Sequence, residues 1–396
     1  MWWAVTKKFD YSLIRPADIL VLNLQLSRFL EPVLDGTNFL NVDLANPFLS
    51  LQPRFLWHLI FQRPSRSRLA RWIIAVTKTS RAKAVLAMDN FNVGHHHRQK
   101  RLLLDELSAA MRKTSVIAIQ HGQELRRLPI QGQKSEVVNL CWGNWVARHF
   151  PTFGRTEGRF HVVGPLVDSL YREIRPQTIT KDVEIVLIST VKDESWWGPE
   201  IGDRRMGYEI LVEHLKRYLE TRKVRCCIAL TIDRDQNPSI NEAELEKKWF
   251  SDRFGTSVEF SDPTKFLGDE RYTDGNQRQP RYVKERYSTY FLCDRAKLTL
   301  GMSSTVLWES FGRGNKVLSV NSSKNSAYDF PIPGPWSLID ADYDEFEKRV
   351  DYLLNLPTEE WDTLSIAARN DLVYLDATES SYLKIRKFIF DEIAAS

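Results

Sequence analysis

Cysteine is scarce in this 396-residue chain: Cys141, Cys226, Cys227 and Cys293 are the only four, and no two are spaced Cys-x-x-Cys. That excludes a disulfide framework and a zinc ribbon, and the thiols are expected to be small buried hydrophobes. Long apolar runs are lacking too. The longest stretches without Asp, Glu, Lys or Arg, Val137–Ala147 and Leu298–Trp308, fall well short of the roughly 20 apolar residues that cross a bilayer. The opening Met-Trp-Trp-Ala-Val-Thr-Lys-Lys-Phe-Asp has no basic start, apolar block and small-residue cleavage site, so a cytoplasmic location is expected. Also missing are the Gly-rich dinucleotide fingerprint, the Walker A loop, His-Glu-x-x-His and Gly-x-Ser-x-Gly. Nicotinamide dehydrogenases, P-loop enzymes, zincins and α/β-hydrolases lose their support with them.

What is present is a folded chain of two or three domains, 43% hydrophobic and 11% aromatic. Its net charge of +4 conceals an asymmetry, because Arg54–Arg127 carries 15 Lys+Arg against four acids and the remainder is acidic. A basic half on an acidic protein points to an anionic partner. Within Arg54–Ile74, Arg54, Arg63, Arg66, Arg68 and Arg71 are interleaved with Phe55, Leu56, Trp57, Ile60, Phe61, Trp72 and Ile73. That composition suits docking at an anionic membrane surface, and it also fits an ordinary amphipathic helix with a solvated basic face. No ribonucleoprotein, helix-turn-helix or zinc-finger pattern is found, so nucleic acid is not an expected partner.

Short apolar runs alternate with stretches of helical period, the mark of β-α units around mostly parallel sheets. Strands are expected at Asp18–Leu24, Phe39–Asp43, Ala84–Met88, Val116–Gln120, Val137–Cys141 and His161–Val163. After a turn-rich linker, Arg175–Asp182, the series restarts with strands at Val183–Ser189, Val224–Thr231, Ser257–Phe260, Lys297–Gly301 and Lys316–Val320. The fold class is therefore α/β with two Rossmann-like domains. The expected boundaries are 1–176 for the first and 183–375 for the second, with 376–396 a helix that crosses back to the first.

In open α/β sheets ligands bind beyond the carboxyl ends of strands. One expected strand runs into Asp89 and Asn90, and another into Gln120-His121-Gly122-Gln123-Glu124. A histidine there suits deprotonation of an acceptor hydroxyl, helped by a nearby carboxylate; capping or bonding a loop backbone is the plainer role for both His121 and Asp89. A third strand ends in Gly301-Met302-Ser303-Ser304-Thr305 as a helix begins, a site for an anion, with Glu309 one turn further on. The loop Ser189–Pro199 contributes Lys192 and the flat faces of Trp196 and Trp197, for a sugar or for packing under the loop. His95-His96-His97 is not expected to hold a metal, because adjacent side chains diverge.

Gln120-His121-Gly122, Trp142-Gly143, Val162-Val163-Gly164-Pro165 and Ser303-Ser304-Thr305-x-x-x-Glu309, in that order across most of Ala84–Leu356, resemble GT-B glycosyltransferases. Within these the chain is similar to bacterial capsule and lipopolysaccharide transferases, a set that also resembles CDP-glycerol-type polymer transferases. The resemblance implies two Rossmann-like domains facing a central cleft. It further implies metal-independent transfer from a nucleotide sugar to a glycan or lipid-linked glycan acceptor, with no cofactor beyond that donor, at the inner face of the membrane. By the same likeness Ser303, Ser304 and Thr305 hold the donor phosphate, Glu309 the nucleoside, and Lys192 the leaving phosphate. His121 is then the base and Asp89 its rival, while Asn90, Glu124, Trp196 and Trp197 are left to meet sugar or acceptor. Retaining relatives place two glutamates seven residues apart, whereas here Lys316 stands seven residues after Glu309, so inversion is expected. The alternatives are a CDP-polyol phosphotransferase, a CMP-Kdo-type transferase, or a non-catalytic binding protein of the same fold.

Overall fold

A computed structural model describes residues 13–22, 24–42, 44, 50–61, 67–89, 95–120, 122, 136–149, 159–190, 202–230, 242–261, 281–376 and 378–395. Within these, the chain divides into a first unit, Met1–Ser169 with Asp376–Ser396, and a second, Leu170–Leu375. The division falls inside the helix Leu166–Ile174.

The first unit holds a six-stranded parallel sheet of β1 (Ile19–Leu22), β2 (Phe39–Val42), β3 (Ala84–Asp89), β4 (Ser115–Gln120), β5 (Val138–Cys141) and β6 (Arg159–Val162), in the order β2-β1-β3-β4-β5-β6. β1 and β5 are buried at every position and β4 at all but its first. That is why they read as continuous apolar runs rather than alternating ones. The expected Arg54–Ile74 stretch resolves into two helices, Pro53–Ile60 and Arg68–Ser80. The second starts on Ser67, whose hydroxyl accepts from the Ala70 amide at 3.2 Å, and ends at Arg81 in the left-handed region with φ 64°.

Helix Ser381–Ala395 completes this unit from the far side of the sequence. Glu392 accepts from the Ser115 hydroxyl at 2.7 Å and pairs with Arg159 at 2.5 Å, and Arg386 donates to the Asp35 carbonyl at 2.8 Å. Burial alone would raise the Glu392 carboxyl, but the bonds from Ser115 and Arg159 hold it below its ordinary range.

The second unit is another six-stranded parallel sheet: β7 (Val183–Ile188), β8 (Cys226–Ala229), β9 (Val258–Phe260), β10 (Ala296–Gly301), β11 (Val317–Asn321) and β12 (Ser337–Ile339). Its order is β12-β11-β10-β7-β8-β9. Read from β9 this is the doubly wound 3-2-1-4-5-6 arrangement, in which the chain leaves the middle of the sheet in both directions. β12 was not expected from the sequence. Helix Gly202–Arg222 approaches the loop after β11 so closely that a Cβ on Gly207 would lie 2.7 Å from the Ser323 amide nitrogen, and only glycine fits there. All four cysteines are buried, and none is in a disulfide. Among the described residues no helix is long and apolar enough to cross a membrane.

Candidate functional site

In each unit the strand order has one reversal, and there the loops leaving the carboxyl ends part to opposite faces. In the second unit the reversal lies between β7 and β10, registered through Leu187 and Leu300. β10 ends at Gly301, followed by buried Met302 and then Ser303, which is held in the left-handed region at φ 53°. A non-glycine residue there costs roughly 1–3 kcal/mol and persists only where its surroundings dictate it. Ser304 is the N-cap of helix Thr305–Gly312 at φ −110°, yet its side chain makes no capping hydrogen bond. The first-turn amides are therefore left uncapped by this hydroxyl at the positive end of the helix.

Arg204, in the first turn of Gly202–Arg222, donates from Nη2 to the Ser303 carbonyl at 3.3 Å, and its guanidinium carbon lies 5.9 Å from the centre of the Tyr328 ring. Thr190 just past β7 and Ser322 just past β11 stand on the two sides of the β10 end. Both are buried with hydroxyls that have no hydrogen-bond partner among the described residues. The carboxyl end of this sheet thus gathers a strained serine, an open helix terminus, a guanidinium and two buried hydroxyls. Such a set suits a phosphate or diphosphate. Ser189 donates to Glu246, a buried carboxylate on helix Glu242–Phe254.

Glu309 lies on the inner face of helix Thr305–Gly312, 1% exposed, and Oε2 accepts the Tyr290 hydroxyl at 2.5 Å. Its carboxylate ties this helix to Arg281–Arg295 behind the sheet.

The reversal in the first unit lies between β1 and β3. Asp89 is the last residue of β3, and its register partner on β4 is Gln120, the residue before His121. The backbone therefore sets Asp89 and Gln120 at the same level on adjacent strands. Gln120 itself is 3% exposed. Its Oε1 accepts from the Trp142 amide at 2.8 Å, its Nε2 donates to the Gly122 carbonyl at 3.1 Å, and its own carbonyl accepts from the Trp142 indole at 2.9 Å.

Of the residues expected from the sequence, Ser303, Ser304 and Thr305 stand at the end of β10, Glu309 is buried one turn into the helix that follows and bonded to Tyr290, and Asp89 stands at the end of β3. His121, Asn90, Glu124, Lys192, Trp196 and Trp197 lie outside the described residues. The His95–His97 triplet opens helix His95–Ala110, and among the described residues no three His, Cys, Asp or Glu are grouped to hold a metal. Sequence reasoning missed Arg204, Thr190 and Ser322. Only the strand order brings those three to β10, and nothing local to Asp203-Arg204-Arg205 announces it.

The chain is thus a two-unit, Rossmann-like α/β protein with a polar strand-end site in each unit. No protein-family model and no curated protein matches it. Among solved structures, the wall teichoic acid polymerase TagF is similar over 96% of this chain and 90% of its own, at 9% identity and a TM-score of 0.47. A single-residue variant of it gives 11% identity and 0.48 over the same shares. The DNA-modifying enzyme β-glucosyltransferase, whose substrate is uridine diphosphoglucose, is similar over 95% of this chain and 97% of its own, at 11% identity and a TM-score of 0.32.

Proposed function

We propose that the chain is a GT-B-type glycosyltransferase. It takes a nucleotide-activated sugar in its second unit and transfers the sugar, with inversion and without a metal, to a cell-surface glycan precursor. The observation that carries this reading is the end of β10, where the uncapped helix start at Ser304 and the Arg204 guanidinium share one strand end. A helix terminus alone supplies about 0.3–1 kcal/mol, whereas a ligand held at 100 μM needs roughly 5.5 kcal/mol. A charge-assisted bond from Arg204, worth about 1.5–3 kcal/mol, supplies much of what is missing.

In this mechanism His121 removes the proton from the acceptor hydroxyl as its oxygen attacks the anomeric carbon. The bond from that carbon to the phosphate oxygen breaks, and the nucleotide leaves with the electron pair. The charge developing on the leaving phosphate is met by the first-turn amides after Ser304, by Arg204 and by Lys192. Asp89 raises the basicity of His121, and Glu309 serves the donor site by anchoring its helix to Tyr290. Asn90, Glu124, Trp196 and Trp197 remain the proposed sugar and acceptor contacts.

A thermal-shift panel of UDP, GDP, CDP, CMP, dTDP and ADP tests the donor site. Ligand at 100 times its dissociation constant stabilises by about 2.7 kcal/mol, so one nucleotide should raise the melting temperature and Arg204→Ala should abolish the rise. A flat panel, with acceptor glycan present as well, rejects the reading. A response to CMP or CDP moves the donor class toward Kdo-like or polyol-phosphate chemistry.

The acceptor side is proposed to work at an anionic membrane surface. Helix Pro53–Ile60 buries Phe55 but leaves Trp57 59%, Ile60 67% and neighbouring Phe61 66% exposed. The rings of Trp57 and Phe61 lie 4.3 Å apart. Positive charge accompanies them: burial first, then Lys78 and Arg54, push His58 below its ordinary imidazole value. Burying each exposed aromatic is worth about 1.5–3 kcal/mol. Trp57→Ala with Phe61→Ala should therefore weaken binding to phosphatidylglycerol-containing vesicles by tenfold or more in a flotation assay. Equal binding by the double variant, or equal binding to purely zwitterionic vesicles, removes the membrane from the proposal.

A further inference from the structure

Helix Pro53–Ile60 is apolar on two faces. Phe55 is buried, and Leu56 and Leu59 pack against the core of the first unit. A surface helix with its inner face so placed normally turns polar side chains outward. Here the exposed positions are Trp57, Ile60 and the C-cap Phe61, spaced i, i+3 and i+4. The chain around them is basic: from Leu51 to Met88 it holds eight Lys and Arg and no Asp or Glu. Arg54, three residues before Trp57, is exposed, as are Arg68 and Lys78, and none of the three is in an ion pair among the described residues.

The second unit carries the complementary surface. β12 is the edge strand of its sheet, and with helices Tyr343–Asn355 and Thr358–Leu372 it borders an open groove of about 670 Å³. Pro333, Pro335 and Leu338 line it together with Ile339, Tyr352 and Leu364, the last three each about half exposed. A strand added at this edge would need the outward carbonyls. Arg349 already donates to those of Pro335 at 3.0 Å and Ser337 at 3.3 Å, so the groove is left to take side chains. The surroundings are acidic, with ten Asp and Glu against three Lys and Arg over Ser337–Leu372. Glu345 lines the groove, Asp340 follows Ile339, and Glu360 stands one turn before Leu364. All three carboxylates are exposed and outside any ion pair among the described residues.

We propose that this groove receives helix Pro53–Ile60 of a second copy of the chain. Trp57, Ile60 and Phe61 are the anchors of a helix laid in a groove, and the bases around Arg54 face the carboxylates at Asp340, Glu345 and Glu360. Apolar surface and charge sign select the same partner, and the opposite charges steer the encounter. Helix and groove are different patches, so the contact is head-to-tail and leaves a free helix at one end of the assembly and a free groove at the other. It does not depend on the transferase reading. An anionic membrane competes for the same helix face, so at any one copy the two uses exclude each other.

Sedimentation velocity of the full chain in lipid-free buffer tests the contact. The wild-type sedimentation coefficient should rise with protein concentration. Trp57→Ala with Phe61→Ala removes the anchors, and Tyr352→Ala with Leu364→Glu spoils the groove at two half-solvated side chains. Each double variant alone should associate tenfold or more weakly than wild type. Mixed one to one they should associate again and stop at a pair, because the intact groove of the first receives the intact helix of the second. Glu345→Lys with Glu360→Lys leaves the apolar lining alone and should weaken association about tenfold through like-charge repulsion, which reports on the groove even if the other groove variant fails to fold. A wild-type chain that stays monomeric up to about 100 μM overturns the proposal. So does a mixture no more associated than its two components, and so does a charge-reversed variant that associates like wild type.

Discussion

Replacing Asp294 by alanine is expected to cost about 3–5 kcal/mol of stability, the range for removing one partner of a buried ion pair. Asp294 is the next-to-last residue of helix Arg281–Arg295, its side chain 5% exposed, opposite the Arg313 side chain at 1%. Its Oδ1 accepts from Arg313 Nε at 2.8 Å and from Asn315 at 2.6 Å, and its Oδ2 accepts from the Tyr171 hydroxyl at 2.9 Å. The guanidinium lies 5.3 Å from the Tyr171 ring centre and 5.0 Å from that of Tyr290. Without the carboxylate this buried cation loses its counter-charge. Arg175, at 3.3 Å and 36% exposed, is too solvated to matter comparably.

Burial alone would raise the Asp294 carboxyl, but Arg313 and the hydrogen bonds from Asn315, Arg313 and Tyr171 hold it below the ordinary range. A carboxyl lowered in the folded state contributes stability that is present above its unfolded value, near 4. That stability is lost as pH falls through the lower folded value. Urea denaturation between neutral and acid pH should therefore show a shallower acid slope in Asp294→Asn than in wild type. A wild-type midpoint in Asp294→Ala at pH 7 would contradict this account.

His121→Ala carries the other large expectation. General-base catalysis contributes typically 10²–10⁴-fold, so under the proposed mechanism kcat should fall by that factor while the nucleotide thermal shift persists, because the elements proposed to hold the donor belong to the second unit. Asp89→Asn separates the rival assignments. If Asp89 only supports the imidazole, its loss should cost less than that of His121; if Asp89 is the base, the order reverses. Unchanged cellular function in both variants would favour a binding protein over an enzyme.

Eleven of the twelve strands could be placed from the sequence to within a residue or two at each end, because strands buried on both faces are short apolar runs. β8 was expected to begin at Val224 and begins at Cys226. β12 escaped because Ser-Leu-Ile follows Pro331-Ile-Pro-Gly-Pro, a turn-rich stretch, and is a three-residue edge strand. Helix Thr358–Leu372 escaped because its apolar face is thin, with only Trp361, Ser365 and Leu372 buried. The start of helix Thr305–Gly312 was legible because Gly-Met-Ser-Ser-Thr after an apolar run is local chemistry. Arg204 was not, since the bond that places it spans 99 residues. Glu309 was legible as an acid one turn into the helix, but its burial against Tyr290 depends on a helix from elsewhere in the chain. Gln120 did carry a local signal, a polar amide ending an apolar strand, and the meaning of that signal lay in Trp142, 22 residues on.

The helix Ser381–Ala395 has a consequence for biosynthesis. It belongs to the first unit, yet the ribosome makes it only after all of Leu170–Leu375. The second unit, a single continuous stretch, can fold as soon as it clears the exit tunnel. The first must wait with the groups that Glu392 and Arg386 later engage, at Ser115, Arg159 and Asp35, still open to solvent. At about 5–20 residues per second, translating 206 residues takes roughly 10–40 s. A stop codon placed after Leu375 would leave an intact second unit joined to an unfinished first.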